Sequence, residues 1–286
     1  MRRFHIVTAS CAHWWPSLIL LALWFAAFYP VFPDLVGTWF EDSNNSHGVL
    51  VPLISAYFAW QRREELSGVE AKSSLLGAGL LCISLALYIV SYAGAIAFGA
   101  RAMMVASLIG LVLFNFGFGV FSVVAFPLCY LFFMIPVPLS VYTFFAFPLQ
   151  LFATDVSAFL LRTLTIPVLK EGNMLYFAQT QLEVAEACSG LRSIMSFIML
   201  SCLFAYMMAP FRGRRSIMIL SSIPLALFAN IVRITGTGVL AHFFGGEVAD
   251  GFMHDFSGLV VFAFGFVLMM VVYNRLERSI PKDNAP

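Results

Sequence analysis

Apolar runs of about 17 to 25 residues recur from one end of this chain to the other, each long enough to cross a hydrocarbon core. Lipid offers no partner to backbone polar groups, so such runs must close their hydrogen bonds within helices. Only 11% of the 286 residues are charged and 61% are hydrophobic, against roughly 25% charged in a soluble domain. The expected fold is therefore all-α, a polytopic membrane helical bundle of about eight transmembrane helices in a single integral membrane domain spanning 1–286. The expected spans fall near 16–37, 48–61, 74–98, 102–117, 119–135, 191–209, 215–240 and 256–273, the second of them short. The fourth and fifth are parted only by Gly117-Phe118-Gly119.

Residues 140–168 are apolar but interrupted by Pro148, Asp155, Arg162 and Pro167. A polar group facing lipid is costly, so this stretch reads as an interfacial or re-entrant helix pair. With the polar run 170–186 it forms an extracytoplasmic segment, 140–186, ahead of catalytic core helices at 187–273. Met1-Arg2-Arg3 before the first run, with no small-x-small site after it, reads as a retained signal anchor. Short-loop basic residues set orientation. Cytoplasmic N- and C-termini put eleven of the sixteen basic residues inside, among them Arg62, Arg63, Arg214 and Arg275. The net charge of +1 carries no basic stripe for phosphates, so no nucleic-acid partner is expected; membrane lipid is the surrounding medium.

Three places break the apolar rule: Glu186-Ala187-Cys188-Ser189-Gly190-Leu191-Arg192, Asn230-Ile231-Val232-Arg233, and His254-Asp255-Phe256-Ser257-Gly258. They open the sixth run, close the seventh and open the eighth, which brings all three to one outer level. A charge at a helix centre costs about 2.5–3.5 kcal/mol on insertion scales, so Arg233 needs compensation. It either snorkels outward or points into the bundle as a donor fork for an oxyanion or carboxylate, with Asn230 one turn away to orient it. Cys188 follows a polar segment at a helix start, with Arg192 four residues on, and both features favour the thiolate. The alternative is a tight junction capped by Ser189, with Gly190 leaving room for a neighbour. Cys82, Cys129 and Cys202 read as small buried hydrophobes.

His254 is either an interfacial polar residue or, paired with a cysteine nucleophile, the natural base and acid, because an imidazole ordinarily titrates near working pH. His242, Glu247, Asp250 and His254 crowd one segment, yet their spacing fits no metal template, and the five cysteines form neither C-x-x-C pair nor disulfide framework. No metal or other cofactor is expected. His47, in Ser46-His47-Gly48, either lines the same cavity or serves a turn.

Glu-Ala-Cys-Ser-Gly-Leu-Arg (186–192), Ala-Asn-Ile-Val-Arg-Ile (229–234), and a His before a Gly-containing apolar span together resemble the exosortase/archaeosortase family. Phe-Met-Ile-Pro-Val-Pro (133–138) and the early Ser-His-Gly are similar to it as well. The resemblance implies a membrane-embedded cysteine transpeptidase or protease with a Cys, Arg and His triad, here Cys188, Arg233 and His254. It implies, too, substrates that are exported proteins with a C-terminal tail: a Pro-containing motif, one transmembrane helix and a basic cluster. Such enzymes sit in the inner (plasma) membrane, often beside exopolysaccharide production, and the active site is expected on the extracytoplasmic side. Two rival readings stand beside this one. A non-enzymatic transporter or scaffold subunit in polysaccharide or lipid export would have no need of Cys188. An intramembrane metalloprotease would lose activity to chelators.

Overall fold

The computed structural model describes residues 14–178, 180–184, 190–208, 211–245 and 252–278. Its contacts gather into two compact units, Met1–Val137 and Pro138–Pro286.

In the first unit, α1 (Trp14–Phe28) and α2 (Val31–Glu41) are bent by 64° at Tyr29-Pro30. A 3₁₀ turn (Ser43–Val49) leads to α3 (Leu50–Gln61), the short α4 (Arg63–Ser67), α5 (Leu75–Ala93) and α6 (Ala97–Tyr130). Large apolar side chains on α5 lie bare, Leu75 at 87% and Ile89 at 65% exposure, as lipid-facing positions should.

Within α6, Gly117 adopts φ 76°, ψ −173°. Both ends of this helix meet α2: Arg101 Nη2 lies 2.6 Å from the Asp34 carboxylate, and the Trp39 indole donates to the Met134 carbonyl at 2.9 Å. A straight helix would hold residues 101 and 134 about 50 Å apart, far more than the four residues between Asp34 and Trp39 can bridge. The chain therefore folds back at Gly117, and the fourth and fifth expected runs are the two limbs of α6. The Lys72 amide donates to the Phe116 carbonyl at 3.2 Å and caps the first limb. A Cβ at position 117 would sit 1.8 Å from the Lys72 oxygen, in a backbone conformation that side chains rarely adopt. Gly117→Ala is expected to destabilise the protein by at least about 3 kcal/mol, read as a lower unfolding temperature in detergent.

The second unit opens with α7 (Leu139–Thr163) and a three-stranded antiparallel sheet, β1 (Leu169–Glu171), β2 (Met174–Tyr176) and β3 (Gln181–Glu183), in the order β1-β2-β3. One expectation is corrected: over 140–168 the chain forms not a helix pair but the single 25-residue helix α7, which carries Pro148 inside it. The all-α reading fits, with this small sheet at 169–183 as an addition to it. Polar residues of α7 find partners in protein: Gln150, Thr154 and Ser157, spaced for one face, are buried, and Asp155 pairs with Lys170. Arg162 donates to the Val168 carbonyl at 3.2 Å. The sheet buries Leu175, Leu182 and Val184 against Ala158 and Leu161 of α7 and against Ile234.

Three further helices complete the unit: α8 (Gly190–Met207), α9 (Arg212–Phe244) and α10 (Phe252–Arg278). Phe197, Met218, Ala226, Ala229 and Met269 form their common core. Four helical stretches are long and apolar enough to cross a membrane (α5, residues 97–134, α9 and 258–278), and the bent α1–α2 pair would make five. The apolar part of α8, Ile194–Met207, and the 12-residue α3 are shorter. Eight long crossings are thus not matched among the described residues. The protein is nonetheless a largely helical, polytopic membrane protein.

Candidate active site

Helices α8 and α9 run antiparallel from a tight join. Arg215, on the first turn of α9, donates through Nη2 to the Met208 carbonyl at 2.9 Å. Eighteen residues separate Met208 from Gly190 along α8, and eighteen separate Arg215 from Arg233 along α9. At the same rise per residue, Gly190 and Arg233 come to one level, about 27 Å from the join. Helix α10 runs alongside α8, Phe262 stacking on Phe197 at 5.4 Å and Tyr273 on Phe204 at 5.3 Å. Its contact with Arg233 is direct: a Cβ on Gly258 would lie 3.1 Å from Arg233 Nη2 and 3.4 Å from Cζ. The half-buried Arg233 thus brings its guanidinium close to the bare Gly258 position, at the interface between α9 and α10.

Of the sequence-identified residues, Arg233 and Asn230 sit on α9, Asn230 buried at 8% exposure. His254 is the third residue of α10, four before Gly258, so its backbone lies one turn from the Arg233 head. Gly190 begins α8, and Arg192 belongs to its first turn. Cys188, Glu186 and Ser189 lie outside the described residues. The described chain stops at Val184, fully buried and held by its amide to the Asn173 carbonyl at 3.0 Å, and resumes at Gly190. The sheet therefore delivers the chain toward the segment that carries the cysteine. The start of α8, Arg233 and the first turns of α10 share one end of this three-helix group.

Gly258 is small because the guanidinium occupies the space a side chain would take. Gly258→Ala should push the Arg233 head by a few tenths of an ångström. In the reaction proposed below this should cost about tenfold in turnover with unfolding temperature almost unchanged, since a misplacement of about 1 Å can cost 10²-fold at a catalytic centre.

His47 belongs to the first unit. Its turn is capped by Asp42, whose Oδ1 accepts from the Asn44 amide at 2.9 Å and whose Oδ2 accepts from Asn45 Nδ2 at 2.6 Å. Burial lowers the His47 pKa, opposed by the backbone of Asn44 and of Phe133. Ser46-His47-Gly48 and Phe133-Met134 are therefore packed together, although some eighty residues separate them.

Sequence reasoning passed over two features. One is the Arg101–Asp34 pair, in which Arg101 is buried at 6% exposure and donates also to Thr38 Oγ1 at 3.0 Å. The other is Thr237, buried at 3% exposure one turn beyond Arg233. Its signal was Thr235-Gly236-Thr237-Gly238, a polar and small-residue run inside an apolar helix.

No curated protein and no solved structure matches the chain. A family model described as transmembrane exosortase (Exosortase_EpsH) matches residues 39–271, which reaches into both units and includes Cys188, Arg233 and His254. With more than half of its length so matched, the chain belongs to the transmembrane exosortase family.

Proposed function

We propose that this protein is a cysteine transpeptidase of the inner membrane that removes the C-terminal sorting tail of exported proteins. In this reading both termini are cytoplasmic and the chemistry takes place at the extracytoplasmic boundary. The tail's transmembrane helix docks laterally among the spans and brings its Pro-containing motif to the level of Arg233. Cys188 thiolate attacks the scissile carbonyl, and the carbonyl electron pair moves onto oxygen. Arg233 stabilises that oxyanion through its planar donor fork, with Arg192 adding positive potential. Collapse of the intermediate breaks the C–N bond, and His254 protonates the departing amine. The tail leaves, and an amine acceptor or water resolves the thioacyl enzyme. Glu186, Ser189 and Gly190 shape the backbone around the nucleophile, and Asn230 supports the arginine from the preceding turn.

One observation carries this reading: the Arg233 guanidinium lies against Gly258, at the level where α8 starts and one turn beyond His254. A charge embedded in a bundle costs several kcal/mol unless a polar site uses it. The test is co-expression with a tailed exported protein, followed by intact-mass analysis of its C-terminus. A product shortened within the Pro-containing motif is expected. A tail left whole beside abundant, correctly inserted enzyme would remove the proposal.

A further inference from the structure

Helix α9 carries three buried or half-buried polar side chains on adjoining positions of one ridge: Asn230, Arg233 and Thr237, spaced i, i+3 and i+7. Thr237 stands out among them. Its side chain is 3% exposed, its Oγ1 is shut off from solvent, and that hydroxyl has no hydrogen-bond partner among the described residues. A buried hydroxyl without a partner is unfavourable by about 1–3 kcal/mol, and threonine in a helix ordinarily bonds to the carbonyl four residues back. Here the rotamer leaves that carbonyl alone. Around it the packing is close: Gly238 touches Leu161 of α7 and Phe177 beyond β2, and Ile234 belongs to the buried sheet core.

We infer that the Thr237 hydroxyl is a substrate-binding group, held in reserve for the peptide backbone of the sorting motif beside the scissile bond. The inference rests on the function proposed above and adds to it a direction for the peptide. Thr237 lies four residues from Arg233 toward the C-terminal end of α9, about 6 Å along the axis. In the proposed orientation that end faces outward. The retained, exported part of the substrate enters from that side, while the tail continues inward past Asn230. Six ångströms is close to two residues of extended chain, so Thr237 meets the backbone about two residues before the scissile carbonyl. The hydroxyl can donate to a peptide carbonyl or accept from a peptide N–H, and it becomes accessible as the helices part to admit the tail.

A contact of this kind leaves a double signature. Thr237→Val keeps the shape and removes the hydroxyl. Because that group is unpaired in the resting protein, the variant should unfold at an equal or higher temperature. Its kcat/KM on a tailed substrate should nevertheless fall about tenfold, the value of one neutral hydrogen bond. The retained half stays bound in the thioacyl enzyme, so single-turnover thioester formation and its resolution by hydroxylamine should both slow. Thr237→Ser should recover most of the rate. Thr235→Val is the control: Oγ1 of Thr235 is also unpartnered, but it points to another side of α9, and this variant should keep its full rate. Unchanged kcat/KM for Thr237→Val would overturn the inference, as would a parallel loss of stability and rate. Cys188→Ala run alongside separates the two levels: tail removal that persists without Cys188 sinks the proposed function itself, whereas an inert Cys188→Ala beside a fully active Thr237→Val sinks only the role of Thr237.

Discussion

Cys188→Ala is expected to insert and fold like the parent protein and to leave a tailed substrate at full length, a rate loss of at least about 10⁴-fold. The reaction needs a nucleophile that can carry the acyl group, and an alanine offers none. Serine is no substitute in this setting. A serine hydroxyl forms its alkoxide only far above working pH, whereas an ordinary thiol ionises within reach of it. Cys188→Ser should therefore be almost as inert as alanine. The measurement is the mass of a co-expressed tailed protein, with enzyme abundance and protease-accessible topology as controls. Conversion by the alanine variant at more than a trace would place the nucleophile elsewhere. The same preparation gives a positive signature: with a minimal acceptor present, wild type should accumulate a hydroxylamine-labile adduct with substrate and Cys188→Ala should not.

Arg233→Lys should retain the charge and lose two to three orders of magnitude in turnover, about 3–4 kcal/mol of transition-state stabilisation. The guanidinium is planar and occupies the space beside Gly258, and its fork presents two donors in one plane. An ammonium on a shorter, rounder head can neither fill that space nor donate in parallel. KM should change little, because the oxyanion exists only on the way to the tetrahedral intermediate. A lysine variant with full activity would reduce Arg233 to an interhelical anchor. Combined with Gly258→Ala, the effects should be less than additive, since both act on the position of one group.

Much of this was legible in the sequence for a plain reason: lipid enforces apolar runs, so the few polar intrusions stand out. Arg233, His254 and Cys188 interrupt such runs, and a count of crossings was enough to suggest a common level. The return of the chain at Gly117 was equally visible, because two glycines around one phenylalanine split a run too long for a single crossing. The sheet was not. Its strands have three residues each, and Leu182 and Val184 alternate with Gln181 and Glu183 over too short a stretch to rise above a polar loop. The sheet also explains the misreading of α7. Asp155 and Arg162 looked like breaks between two helices, yet they sit within one helix and their partners are Lys170 and the Val168 carbonyl, groups a pattern along one helix cannot reveal. Thr237 escaped notice because threonine is common in membrane helices, so the Thr-Gly-Thr-Gly run did not stand out until burial without a partner singled out its hydroxyl.

The equal spans of α8 and α9, measured from their shared join, act as a ruler. Adding one residue to either arm would slide everything beyond it by about 1.5 Å and turn it through about 100°. That would swing Gly190 away from Arg233, or Arg233 away from Gly258, while every hydrophobic contact near the join survived. Such a protein would still be a sound bundle, yet inert in the proposed reaction. Length in these two arms is therefore as much a part of the chemistry as the side chains at their tips, and tolerated insertions should cluster in the turns instead.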